Sequence, residues 1–93
     1  MKKFAKKEVD VGGKSVSVDV QEVANPGGET ALRATATFGS STVELTHTLA
    51  PVDGAHAELD PNHVQNALDN LRQRAARHAI LRESLRTQLE RTE

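Results

Sequence analysis

Hydrophobic and polar residues alternate along two stretches of the first half of the chain, most regularly in the first. One stretch sets Val16, Val18 and Val20 between polar residues, and the other runs from about Thr30 to about Leu49. A period of two is typical of a β-strand with one buried face and one face in water. We therefore predict strands whose inner face is rich in valine, alanine and leucine and whose outer face is rich in threonine and serine.

Two tight turns divide this half of the chain into two hairpins. Gly12-Gly13 suits a two-residue loop, because glycine accepts the positive φ of a type I′ turn, and Gly39-Ser40 is the second predicted hairpin turn. Asn25-Pro26-Gly27-Gly28 breaks the chain between them. Both hairpins are expected within one sheet or across two chains. The predicted opposite pairs are Val9 and Val16, Lys7 and Val18, Ala5 and Val20, Ala36 and Val43, Ala34 and Leu45, and Leu32 and His47.

The last third of the chain has the pattern of one long helix. Neither glycine nor an internal proline occurs from Pro61 to about Arg91, and Asp60 is placed as an N-cap before an N1 proline. Some thirty helical residues span roughly 45 Å, whereas strands of eight or nine residues span roughly 25–30 Å. The end of the helix should therefore extend past the sheet, unless the helix breaks near Arg77-His78 into a helical hairpin.

Together these elements predict an α+β fold, in which a four-stranded antiparallel β-meander of two hairpins is packed by one long C-terminal α-helix. We expect a single domain over residues 1–93, with the sheet in 1–50, a loop in 51–59 and the helix in 60–91.

The apolar stripe of the helix is regular at first and degrades after Ala75. Val64, Leu68, Leu71, Ala75 and His78 share one stripe. We expect the first half of the helix to pack on the sheet and the second half to resemble a short coiled-coil segment that faces a partner. Arg82 projects from the centre of the stripe, and Ala76 and Ile80 should point almost opposite to it. The predicted partner-binding residues are Ile80, Leu81, Arg82, Leu85, Leu89 and His78.

The composition favours assembly. Of 93 residues, 37% are hydrophobic and only Phe4 and Phe38 are aromatic, so the core must consist of small aliphatic side chains. Such a core buries little area per residue, and oligomerisation is the usual remedy in a small chain without disulfides or metal. We therefore expect a homodimer or a complex with another protein.

Charge and cysteine content exclude several classes of function. The formal net charge is −1, which provides no overall attraction to nucleic acid or to an anionic membrane. Without cysteine, the chain has no thiol nucleophile and no thiolate metal ligand. The sequence shows neither a signal peptide nor an apolar run of membrane-spanning length, so we expect a cytoplasmic protein.

No pattern in the chain indicates catalysis or a cofactor. His56, Glu58, Asp60 and His63 have spacings that could hold a metal ion, but they fit a polar loop that leads into a helix cap, and we expect no metal site. His47 lies on the inner face of its strand without an acidic neighbour there. The glycine pairs connect strand to strand and do not form a phosphate-binding loop. We therefore expect a protein that is not an enzyme.

The leading hypothesis is a non-enzymatic interaction or assembly module. Small domains of this kind include phage assembly parts, inhibitors, adaptors and regulatory subunits. The alternative is a nucleic-acid-binding regulator, because no acidic residue occurs between Asn70 and Arg82. Its predicted contacts are Arg72, Arg74 and Arg77 of the helix with Lys2 and Lys3 of the N-terminus.

Overall fold

The computed structural model describes residues 2–49 and 61–91. Its elements, in chain order, are β1 (Lys7–Val11), β2 (Lys14–Ala24), β3 (Thr30–Phe38), β4 (Ser41–Thr48) and α1 (Pro61–Arg91). The strands form one antiparallel sheet in the order β1-β2-β3-β4, with α1 packed on one face. The predicted α+β fold is confirmed, and both hairpins belong to one sheet. The predicted loop and the proposed cap at Asp60 lie outside the described residues.

The turn residues set the register as predicted. Val9 lies opposite Val16 and Lys7 opposite Val18 in the first hairpin. In the second hairpin, Leu32 lies opposite His47, as predicted. Glycine is required at the turns because Gly12, Gly13 and Gly39 have φ values of 57°, 81° and 60°.

The predicted pairing of Ala5 with Val20 is wrong. Lys7 lies opposite Val18, but Lys3 lies opposite Gln21, so the edge segment contains one residue more than β2 over this stretch. This extra residue is a β-bulge. The Phe4 N–H donates to the Val20 carbonyl at 3.0 Å, and the Phe4 ring packs against the core. A phenylalanine buries more apolar area than an alanine, which favours the shifted register.

The core lies between the inner face of the sheet and α1. Alanines occupy both sides where the two layers meet, and small side chains let a helix lie close to a sheet. Fully buried core residues include Val16, Val18, Val20, Leu32, Ala34, Ala36, Ala75, Ala76 and Ala79.

The buried face of the helix is rotated from the predicted stripe. Ala76 is fully buried and Ile80 packs against the core, although both were expected to point away from it. His78 and Arg82, which were placed on the stripe, are exposed. The predicted stripe follows the large side chains of valine and leucine. Where the helix lies closest to the sheet, however, only the small side chain of alanine fits. The helix is continuous through Arg77-His78.

The molecule is elongated, with extents of 55 × 27 × 21 Å, and α1 is its longest element. Arg72 contacts Ala5, far from the hairpin turns, and Glu83 contacts Gly39 and Ser41 at the second turn. Residues 84–91, here called the overhang, add about 12 Å beyond that point. Within the described part of the chain, no helix is both long enough and apolar enough to cross a membrane.

Candidate protein-interaction surface

Three leucines in the second half of α1 are exposed along one line of the helix. The exposed fractions are 57% for Leu81, 50% for Leu85 and 73% for Leu89. Residues four apart lie one above the other on a helix, so these side chains form a continuous ridge. We call these three residues the leucine ridge.

A network at Glu83 holds the helix that carries the ridge. The Glu83 carboxylate accepts hydrogen bonds from Ser41 Oγ at 2.8 Å and from Arg86 Nε and Nη2, both at 3.0 Å. The Arg86 side chain also pairs with Glu90. The network therefore ties the last turns of α1 to the start of β4.

The same network sets the charge at this point. The hydrogen bonds from Arg86 and then from Ser41 favour the ionised carboxylate and lower the pKa of Glu83 from 4.5 to about 2. In return, the hydrogen bonds and charge of Glu83 raise the pKa of Arg86. The spacing of Glu83 and Arg86 is visible in the sequence as a helical ion pair, but the contribution of Ser41 from β4 is not.

Leu85 and Glu83 project from nearly opposite sides of the helix. Leu85 follows Glu83 by two residues, which is about 200° around an α-helix. One edge of the ridge opens on a groove lined by Ser41, Arg82, Leu85, Arg86 and Leu89. The ridge thus has a polar rim beside it.

The predicted partner-binding residues separate into two groups. Leu81, Arg82, Leu85, Leu89 and His78 are all exposed. Ile80 lies about 140° from Leu85 around the helix, where it packs against the core and lines a groove with Phe38. Ile80 is therefore part of the packing of α1 on the sheet and lies away from the ridge.

The three arginines of the alternative hypothesis do not share one narrow face of the helix. Arg72 is buried, with 5% of its surface exposed. Its Nη2 donates to the Ala5 carbonyl at 3.2 Å, and its Nη1 lies 3.9 Å from Asp69. Arg74 and Arg77 are exposed but lie about 200° and 140° around the helix from Arg72.

The N-terminal lysines lie on another side of the fold. Lys3 forms a bridge with Gln21, and the Lys2 carbonyl accepts from the Glu22 N–H at 2.7 Å. Both lysines therefore lie on the β1 side of the sheet, towards which Arg72 points. Exposed Arg74 and Arg77 lie about 60° apart around the helix, and neither lies on the line of Arg72.

Of the residues with metal-ligand spacing, His63 lies in the described part of the chain. His47 is partly buried opposite Leu32. His63 is exposed in the first turn of α1, while His56, Glu58 and Asp60 lie outside the described residues. Over residues 2–49 and 61–91, no three histidine or acidic side chains come close enough to hold a metal ion.

In comparisons with known proteins, no family model, no curated protein and no solved structure matches this chain.

Proposed function

We propose that this chain is a non-enzymatic assembly module that binds an α-helix of a protein partner on the leucine ridge, in the cytoplasm. The observation that carries the proposal is the exposure of Leu81, Leu85 and Leu89, each by half or more, along one line. Burial of a fully exposed leucine is worth about 1.5–3 kcal/mol. Covering the ridge therefore supplies part of the favourable free energy that offsets the cost of association.

The spacing of the ridge suits a helix as the bound element. Side chains four residues apart form the ridges that pack into the grooves of a second helix, in the commonest class of helix–helix contact. An amphipathic helix with apolar anchors at the same spacing matches this surface. Arg82 on one side and Gln88 on the other provide a polar rim.

Photo-crosslinking in cells that express the chain tests the proposal. We would place a photoreactive amino acid at Leu85 and, as a matched control, at Gln73, which is also exposed on α1. The expected result is an adduct at position 85 alone, with the cross-linked peptide derived from an apolar-faced helix of the partner. The adduct should disappear when Leu81 and Leu89 are both changed to Asp.

Two outcomes would refute the proposal: the same adducts at both positions, or none at position 85. Circular dichroism of each variant checks that the fold is intact, which we expect because the substituted side chains lie outside the core.

A further inference from the structure

We infer that two copies of this chain pair antiparallel through β4, with Leu45 on the two-fold axis, so that their sheets join into one. The inference goes beyond the proposed function, since it concerns the edge of the sheet and makes no use of the leucine ridge. Within residues 2–49 and 61–91, no strand pairs with the outer side of β4. An unpaired strand edge is a template for a further strand, because its backbone N–H and C=O groups can continue the ladder.

The hydrogen bonds of the second hairpin show which residues of β4 point outward. The Leu49 N–H donates to the Thr30 carbonyl at 2.9 Å, so the backbone groups of Leu49 point towards β3. This direction alternates along a strand of an antiparallel ladder, and the register of β3 with β4 is unbroken over the whole hairpin. The residues whose backbone groups point away from β3 are therefore Thr42, Glu44, Thr46 and Thr48.

The two edges of the sheet differ in their protection against such pairing. At one edge, β1 has five residues, three of them charged, and it follows a bulge. Short length, charge and bulges all protect an edge from a further strand. At the other edge, β4 has eight residues with neither lysine nor proline, and Glu44 is its one charged residue. Arg33 Nε lies 3.8 Å from the Glu44 carboxylate, so even this charge has an opposite charge beside it.

The two faces of β4 decide the orientation of an added copy. Val43 and Leu45 pack against the core on the helix side, and exposed threonines line the other side. A two-fold axis perpendicular to the sheet pairs the two strands antiparallel and keeps both helices on one face. A two-fold axis along the strands would pair them parallel and set the helix side of one copy beside the wet face of the other. Only the antiparallel pair continues the apolar face across both sheets.

Hydrogen-bond direction and charge then fix the register. Residues that point outward must oppose one another, so even-numbered residues of β4 lie opposite even-numbered residues of the second copy. With Leu45 on the axis, Glu44 lies opposite Thr46 of the second copy. A register with Glu44 on the axis would oppose two carboxylates, which is unfavourable. A register with Thr46 on the axis would leave the first residues of β4 unpaired.

A second copy supplies the side chains that this edge requires. On the helix side, Leu45 meets Leu45 and Val43 meets His47 of the second copy. On the wet side, Thr42 meets Thr48, and paired threonines are favourable neighbours across strands. A small chain with a core of short aliphatic side chains also gains stability by oligomerisation. The strand that fits the edge of β4 is thus β4 itself.

Sedimentation velocity over a range of concentrations is the first test. A contact between single edge strands is small beside the roughly 1,200–2,000 Å² of a standard interface, so we expect a dimer that dissociates on dilution. The expected result is a shift from the 10.1 kDa monomer towards twice that mass as the concentration rises. A chain that stays monomeric at every concentration would overturn the inference.

Proline variants test which edge is used. Thr46→Pro removes an outward N–H and leaves the ladder with β3 intact, so it should abolish the shift in mass. The matched control is Glu8→Pro, at an outward position of β1, which should leave the shift unchanged. Circular dichroism checks the fold of both variants. Equal dimerisation of the two folded variants would overturn the inference.

Amide hydrogen exchange reads the edge directly in the native chain. Amides that point towards β3 should be protected at every concentration, whereas the outward amides should gain protection only as the dimer forms. Outward amides that are protected equally in a monomer would show that the chain covers its own edge, and this result would overturn the inference. The outward amides to follow are those of Thr42, Glu44, Thr46 and Thr48.

Disulfide formation tests the register, because the chain has no native cysteine. Thr42→Cys mixed with Thr48→Cys should form a linked dimer on oxidation, since opposite residues lie about 5.5 Å apart between their Cα atoms and a disulfide spans less than about 7 Å. Neither variant should form this dimer alone. More product from Thr42→Cys mixed with Thr46→Cys would place Glu44 on the axis and overturn the inference.

Variants of the leucine ridge separate this inference from the proposed function. Changing Leu81 and Leu89 to Asp should leave the dimer intact, and Thr46→Pro should leave the photo-crosslink at Leu85 intact. If the ridge variant abolishes the dimer and Thr46→Pro does not, the copies meet on the ridge and this inference fails. If the dimer forms through β4 and Leu85 yields no crosslink, the proposed function fails and this inference stands.

Discussion

At the scale of single residues, Gly39 shows how closely the helix approaches the second hairpin turn. Its φ is +60°, and an added Cβ would lie 2.7 Å from Cδ of Glu83. Gly12 has a similar φ of +57° but open space around it. The two glycines therefore share one backbone requirement and differ only in the contact with α1.

Gly39→Ala should lower the free energy of unfolding more than Gly12→Ala does. Both variants carry a left-handed alanine, which costs about 1–2 kcal/mol, and only the first also displaces Glu83 from Ser41. Urea unfolding followed by circular dichroism measures the difference. In a Glu83→Ala background the two glycine variants should become equally costly. Equal costs in the native background would show that the approach of Glu83 is unimportant.

Glu83 itself predicts a dependence of stability on pH. Its pKa falls from 4.5 to about 2 in the folded state, chiefly through Arg86 and then Ser41. Because the folded state holds the proton less tightly, this contribution to stability is complete above pH 4.5 and is lost as the pH falls towards about 2.

The Glu83→Gln variant should therefore be less stable than the native chain at pH 7, and the gap should close between pH 4.5 and about 2. Thermal unfolding at a series of pH values measures the gap, with Glu90→Gln, whose side chain is 64% exposed, as the control. A gap that stays constant across this range would contradict the assignment of the shift to Glu83.

At the scale of elements, a hydrogen bond from Arg72 connects α1 to the bulged segment before β1. The bulged segment before β1 contains Ala5, and Arg72 donates to the Ala5 carbonyl at 3.2 Å from the facing side of α1. A hydrogen bond from a charged donor stabilises more than one between neutral groups. The guanidinium thus connects the edge of the sheet to the helix at the end away from the turns.

Arg72→Met should lower the free energy of unfolding by about 1.5–3 kcal/mol, the value of a hydrogen bond to a charged group. Methionine keeps most of the aliphatic volume, so the lost contact dominates the effect. Arg74→Met, at an exposed position, should change stability by no more than about 0.5 kcal/mol. Denaturant titration of both variants measures the contrast, and equal effects would show that the Ala5 contact contributes nothing.

At the scale of the whole molecule, one helix has two different environments. Over its first part, alanines and leucines pack against β1 to β4. Beyond Glu83 the overhang extends past the second turn, with Lys14 and Phe38 of the sheet beside it in one groove. The leucine ridge begins near that boundary, which is why the proposed partner meets the molecule at its end.

The sequence alone determined the elements of this fold, because strand period, turn chemistry and helix continuity are local properties. The hairpin registers at Gly12-Gly13 and Gly39-Ser40 and the helix from Pro61 to Arg91 were predictable for that reason. The exposure of Leu81, Leu85 and Leu89 on one line also follows from helical spacing once the buried face is known.

Only the tertiary structure decided which side of the helix faces the sheet. Ala76 and Ile80 pack inward and His78 points outward, because the fit between closely packed layers, more than the hydrophobicity of each residue, determines what is buried. The tertiary structure also decided the bulge before β1 and the burial of Arg72. Each depends on a contact between segments distant in sequence, the Ala5 carbonyl and the helix, and such contacts exist only after the layers have packed.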